Sequence, residues 1–147
     1  MYSTIEDLKA RIGVETLTDL TDLEGVGEIN ETVAEGAIAD ADGIIDAYCA
    51  QAGKATPLSP VPALITGFSA DMATHLLYSR KGLAVESRAN AYNDAVKFLR
   101  DVAAGKATLG TAAEAAAAGD GGIATTKSAS ERAYRDEVMD AFMGELT

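Results

Sequence analysis

In this chain of 147 residues the features whose types and spacing suggest chemistry are one histidine, one cysteine and an acidic loop broken by glycines. In that loop Asp22, Glu24, Val26, Gly27, Glu28 and Ile29 follow part of the spacing of a helix–loop–helix calcium site: alternate oxygens, a glycine turn, then an isoleucine. Val26 stands where a third oxygen ligand belongs, and Val33 stands where a bidentate glutamate should close the shell, so the coordination is incomplete. His75 follows Asp71 by four residues, one helical turn, which would let a carboxylate orient an imidazole. No Ser or Cys nucleophile is placed with the pair, and a helix-surface ion pair or a packed histidine is the simpler reading. Cys49 falls in an apolar helical stripe, the setting of a structural thiol. Gly25-Val26-Gly27 and Gly119-Asp120-Gly121-Gly122 lack the preceding strand and the Lys-Ser/Thr pair of a phosphate loop, and read as turns. The expectation is a protein that is not an enzyme, with no cofactor and no resident metal.

The elements around these residues read as helices. Ser3 or Thr4 can cap a first helix, with Glu6 and Asp7 favourable in its first turn and Ile5, Leu8 and Ile12 at helical spacing up to Gly13. Residues 14–20 make a second short turn or helix, and residues 21–30 a loop. From Asn30, a capping residue, Val33, Ala37, Ala41, Ile44, Ile45 and Tyr48 trace a long helix. Gly36 and Gly43, seven apart on one face, suggest that another backbone lies close. The three prolines, Pro57, Pro60 and Pro62, end that helix in an extended connection. A further helix carries Val61, Leu64, Ile65, Phe68, Met72 and Leu76 up to Gly82, and the next carries Val85, Ala89, Tyr92, Val96, Leu99 and Ala103 up to Gly105. No alternating strand pattern competes. With aromatics at 5% and no Trp, Leu, Ile, Val and Ala must fill the core, as helical packing readily allows. The expected fold is all-α: a small bundle of about four helices over residues 1–108, with an extended C-terminal tail.

The tail divides into an Ala/Gly-rich linker, 109–127, and an amphipathic segment, 128–147. In the latter Ser128 and Glu131 have capping-box spacing, and Tyr134, Val138, Met139, Phe142, Met143 and Leu146 share one stripe. A lone helix of this length is marginal in water, so the segment is expected to order by docking, more on another chain than on its own body.

Charge is as uneven as structure. Of the formal net charge of −11, residues 1–50 hold twelve acids against Lys9 and Arg11, while the remainder is nearly balanced. An acidic half repels phosphate, which argues against sequence-specific nucleic-acid binding. Bases gather later, at Arg80, Lys81, Arg88, Lys97 and Arg100, then Lys127, Arg132 and Arg135. They suit self-association, with Glu31, Glu35 and Asp42 of one copy meeting Arg88, Lys97 and Arg100 of the next. A lone cysteine and the lack of any apolar run near about 18 residues point to a soluble, membrane-free protein made in a reducing compartment.

The opening Met1-Tyr2-Ser3-Thr4-Ile5-Glu6-Asp7-Leu8, the run Leu17-Thr18-Asp19-Leu20-Thr21-Asp22, and the acidic glycine loop before a helix ending Ile45-Asp46-Ala47-Tyr48 resemble the Mu-like phage head-tail adaptor proteins. Pro57-Leu58 and Val61-Pro62, residues 71–78, Tyr92, Ala95, Leu99 and Ala104-Gly105-Lys106 extend the resemblance over about residues 1–110, and residues 132–139 are similar to a segment that closes many members. The resemblance implies a non-enzymatic helical protein, made in the host cytoplasm, that forms a dodecameric ring in the virion neck. That ring would sit between the portal protein and a neck or tail-terminator protein. It also implies that the tail contacts the portal; joined to the apolar stripe of the tail, this makes Tyr134, Val138, Met139 and Phe142 the expected anchors. Two other readings stand beside it: a small regulatory or calcium-responsive helical domain, and a minor hydrolase using Asp71 and His75.

Overall fold

The computed structural model describes residues 1–111 and residue 114, which belong to one compact unit, Met1–Glu114. The linker beyond these residues and the segment 128–147, with Tyr134, Val138, Met139 and Phe142, lie outside the described residues. Among the described residues there are five helices and no strand: α1 (Ile5–Ile12), α2 (Val14–Thr21), α3 (Glu31–Gln51), α4 (Ala63–Arg80) and α5 (Glu86–Ala103). No described helix is long and apolar enough to cross a membrane.

Local chemistry explains where each helix begins and stops. Thr4, not Ser3, caps α1: its hydroxyl accepts from the Asp7 N–H while the Asp7 carboxylate accepts from the Thr4 N–H, a reciprocal capping box. Gly13, at φ +81°, ends α1 and lets the chain turn at once into α2, so the short second element is a full helix. The Asn30 side chain accepts from the Val33 N–H and starts α3. The proline-bearing connection then turns the chain into α4, and a short link through Gly82 returns it as α5.

Helices α3, α4 and α5 all pack on one another, α1 and α2 pack against α3 and α4, and α1 touches α5 through Arg88, which donates to the Arg11 carbonyl. The α4 helix sits at the centre. It buries Ile65, Ser69, Ala70, Met72, Ala73, Thr74 and Leu77, which surround much of the helix, while Val61 and Leu64 of the expected apolar face are exposed. The reason is position: with neighbours on several sides, small residues as well as large ones are drawn inside, and a single 3.6-residue stripe no longer describes the helix. Ala34, Ala37, Ala41, Ala70, Ala73 and Ala95 are all buried, which lets the helix axes approach closely. The backbone neighbour expected at Gly36 and Gly43 is absent from the described residues: a Cβ at either position would meet nothing within 4 Å. Both face away from the helices that α3 packs against.

The N-terminal strap locks this arrangement. Asp42 of α3 accepts from the Tyr2 backbone N–H at 2.8 Å and from the Ser69 hydroxyl of α4 at 2.6 Å. Because Ser69 gives its proton to the carboxylate, it accepts from Ser3, 2.7 Å away. The Tyr2 hydroxyl donates to Asp46 and accepts from the Leu58 N–H, tying the proline-bearing connection to α3. No buried side-chain polar atom among the described residues lacks a partner.

Replacing Asp42 by Ala strands two buried donors and should lower the unfolding free energy by about 2–4 kcal/mol, read as a lower urea midpoint at unchanged slope. A loss below about 0.5 kcal/mol, the range of ordinary surface substitutions, would mean that the strap is ornamental. Tyr2 supplies a pH test. Burial, and then its hydrogen bond to Asp46, push its phenol from the ordinary 10.0 up to about 12. The folded chain therefore keeps a proton that the unfolded chain loses above pH 10, so this stabilisation is complete below pH 10 and is lost as pH rises to about 12. Over that interval the wild-type chain should lose up to roughly 2 kcal/mol more stability than Tyr2→Phe, measured by denaturant unfolding at each pH. Parallel pH profiles for the two chains would refute the assignment.

Candidate functional site

Asp71 and His75, weighed together for catalysis, each contact a different group. Asp71 pairs with Arg11 of α1, across Gly67, where a Cβ would stand 3.4 Å from the guanidinium. His75 instead lies against the Tyr92 ring, centroids 4.7 Å apart, with its Nε2 3.5 Å from the Ser79 hydroxyl. The Asp71–His75 couple, the lesser alternative in the sequence, is not assembled: Asp71 pairs with Arg11 and His75 packs on an aromatic face of α5, the simpler reading of both residues. Cys49 is buried, and burial first, then the nearby Asp46, pushes its thiol up, away from the thiolate that a nucleophile needs.

The acidic loop does not present a calcium shell either. Both oxygens of Asp22 turn inward: Oδ1 accepts from the N–H groups of Glu24 and Gly25, and Oδ2 from that of Gly27 at 2.7 Å. These backbone bonds, Gly27's foremost, hold the Asp22 carboxyl below its usual range. Gly25 and Gly27 sit at φ +77° and +82°, which side-chain-bearing residues rarely adopt, and so allow the backbone to curl around the carboxylate. Asp22 acts as the staple of the loop. Among the described residues no three His, Cys, Asp or Glu side chains come together to hold a metal ion.

What remains is surface. Glu31 and Glu35 are exposed on the first half of α3, beside α1, and line a shallow cleft of about 370 Å³ with Ile5 and Ile38. Lys97 and Arg100 are exposed in the second half of α5. None of the four forms an ion pair with a described residue. Arg88 is half-buried, and its guanidinium donates to the Arg11 carbonyl at 3.4 Å. Asp42 departs from expectation: it is 9% exposed and serves the N-terminal strap, so it does not lie on the acidic surface. Its burial had a visible signal, since it falls four residues after Ile38 and three before Ile45 on the inward stripe of α3.

Two features were not read from the sequence. Leu23 and Val26, on the stapled acidic loop, are 62% and 68% exposed. At the turn between α4 and α5, a cleft of about 400 Å³ is lined by His75, Ser79, Leu83, Val85, Glu86 and Ala89. The first had a signal in two large aliphatic side chains set among acids where no helical period would bury them. The second depends on the angle between two helices, which no local pattern encodes.

Known phage proteins share this sequence over most of its length. The family model described as "Bacteriophage Mu, Gp36" matches residues 2–127. Gene product J of Escherichia phage Mu is 34% identical over 121 residues, covering 82% of this chain and 84% of that protein. The Mu-like prophage FluMu protein gp36 of Haemophilus influenzae is 29% identical over 111 residues, covering 75% and 76% of the two chains. With nearly the whole described body and the linker inside the match, this chain belongs to the bacteriophage Mu Gp36 family.

Proposed function

We propose that this protein is a head-tail adaptor. Copies join as a ring, dodecameric by the resemblance described above, placed in the virion neck between the portal and a neck or tail-terminator protein. The observation that supports this reading is the uneven charge: residues 1–50 carry twelve acids against two bases and expose Glu31 and Glu35 on α3, while the nearly balanced remainder exposes Lys97 and Arg100 on α5. Two different surfaces that complement each other make a head-to-tail contact, and such contacts close into rings when the rotation allows. Membership of a phage Mu family supports the setting. The C-terminal segment is assigned to the portal, with Tyr134, Val138, Met139 and Phe142 as its apolar anchors.

Light scattering behind a sizing column, on the chain alone and mixed with portal protein, tests the reading. A high-mass complex is expected, and its formation should weaken as salt rises. Glu31→Lys with Glu35→Lys should abolish it, and adding Lys97→Glu with Arg100→Glu should restore it in part. A chain that stays monomeric with portal present, at every salt concentration, overturns the proposal. Tyr134→Ala with Phe142→Ala should weaken portal capture by about 2–4 kcal/mol, the cost of losing two apolar anchors, while leaving the melting temperature of the body in place. Unchanged portal capture would remove the tail from the interface.

A further inference from the structure

We infer that the body itself meets the portal, through the end from which the tail leaves and on which Val61 and Leu64 are exposed. This rests on the adaptor reading and adds to it the direction in which the body points. Contacts between helices define the two ends. At one, the Lys81 ammonium, just past α4, donates to the Asp22 carbonyl, and the Asn30 N–H donates to the Thr21 hydroxyl. The finish of α4 and the start of α3 therefore lie together with the acidic loop. The rings of α4 and α5 pair in reverse order, Phe68 with Phe98 and His75 with Tyr92, which sets the start of α5 at that end too. The opposite end gathers the finish of α3, the proline-bearing connection, the start of α4 and the finish of α5.

The chain stays on the body past α5 and leaves from this second end. Leu109 is buried, and the N–H groups of Thr111 and Glu114 each donate to the other's side chain, at 3.2 and 3.3 Å. The Lys54 ammonium, just past α3, pairs with the Glu114 carboxylate and is the first cause holding that carboxyl below its usual range. Glu114 is thus moored to the end that carries Val61 and Leu64. Thirteen residues, 115–127, separate it from the amphipathic segment. Thirteen residues span about 20 Å, whether counted as a helix or as the average of a coil. The eighteen residues of α4 alone run about 27 Å, so a partner that holds residues 128–147 is drawn to this end before the other.

The surface there suits burial. Residues 52–64 and 102–113 contain no acid and only two bases, Lys54 and Lys106, of which Lys54 is already paired. Pro57, Pro60, Val61, Ala63, Leu64 and Ala104 are exposed on it. Covering such a surface strips water from few charges, and depletion of charge marks the centre of protein interfaces. At the opposite end a partner would have to desolvate the exposed Glu24 and Glu28.

Photocrosslinking tests the direction. Full-length Leu64→Cys and Leu83→Cys chains, each labelled with benzophenone maleimide and mixed with portal protein, place the probe at opposite ends; buried Cys49 is their common background. Leu64→Cys should give a portal adduct at about tenfold or more the yield of Leu83→Cys. Val61→Asp with Leu64→Asp, both at exposed positions, should keep the melting temperature of the body and weaken portal capture about tenfold, whereas Leu83→Asp should leave capture unchanged. Suppose portal captures the wild-type chain. Adducts from Leu83→Cys alone, from both ends equally, or only to another copy of this chain then overturn the inference, as does full capture of the double Asp variant; the adaptor reading stands in each case. If portal does not capture the wild-type chain, both fall together.

Discussion

The buried carboxylate of Asp42 is the constraint on which the body depends. A charge removed from water costs several kcal/mol unless hydrogen bonds replace its hydration, and here the replacements come from two segments far apart in sequence, the N-terminal strap and α4. Tyr2 offers a backbone N–H, Ser69 an hydroxyl, and Ser3 completes the chain through Ser69. Meeting one carboxylate therefore fixes the N-terminal strap, α3 and α4 in a single arrangement. An apolar residue at that position would let the helices slide on their alanine-rich faces, since small side chains interlock weakly. Polar groups at such a point confer uniqueness of packing more than stability.

Small residues set the rest of the geometry. Alanines on α3, α4 and α5 bring the axes together, and the larger Leu8, Leu17, Ile38, Met72, Leu77 and Leu99 fill the spaces left at the ends and sides. A core of this kind contains little aromatic surface; the Phe68–Phe98 pair, 5.4 Å between centroids, flanks it without entering it. Its consequence is a body whose helices are well placed but whose links between helices carry the exposed apolar side chains Leu23, Val26 and Leu83.

The helices were legible because their signals are local. The Thr4 box, the Asn30 cap, the prolines at 57–62 and the glycines at 82 and 105 are each decided within a turn or two of chain, and each marks a boundary in the structure. The faces of the helices were less legible. On α5 the buried stripe runs through Ala95, Leu99 and Val102, about one position from the stripe read by spacing, because alanine is silent in a hydrophobic pattern yet decides where helices touch. The glycines of α3 misled for a related cause: a missing side chain signals close approach only when a partner is there, and their side of α3 has none within the described body. At the candidate site, exposure of Glu31, Glu35, Lys97 and Arg100 followed from the period, whereas Asp42 required weighing its register against its charge. The pairing of Asp71 with Arg11, sixty residues apart, is tertiary and had no local signal.

The uneven charge has a kinetic meaning within the adaptor reading. A body whose first fifty residues carry ten net negative charges repels its own copies when they approach acid to acid. Only the approach that brings the α5 bases of one copy to the acids of the next lowers the field, so the long-range force rejects wrong encounters before any side chain touches. Short-range fit must then settle register. Long, mobile lysine and arginine side chains are poor at that, so register falls to groups that the fold itself holds in place.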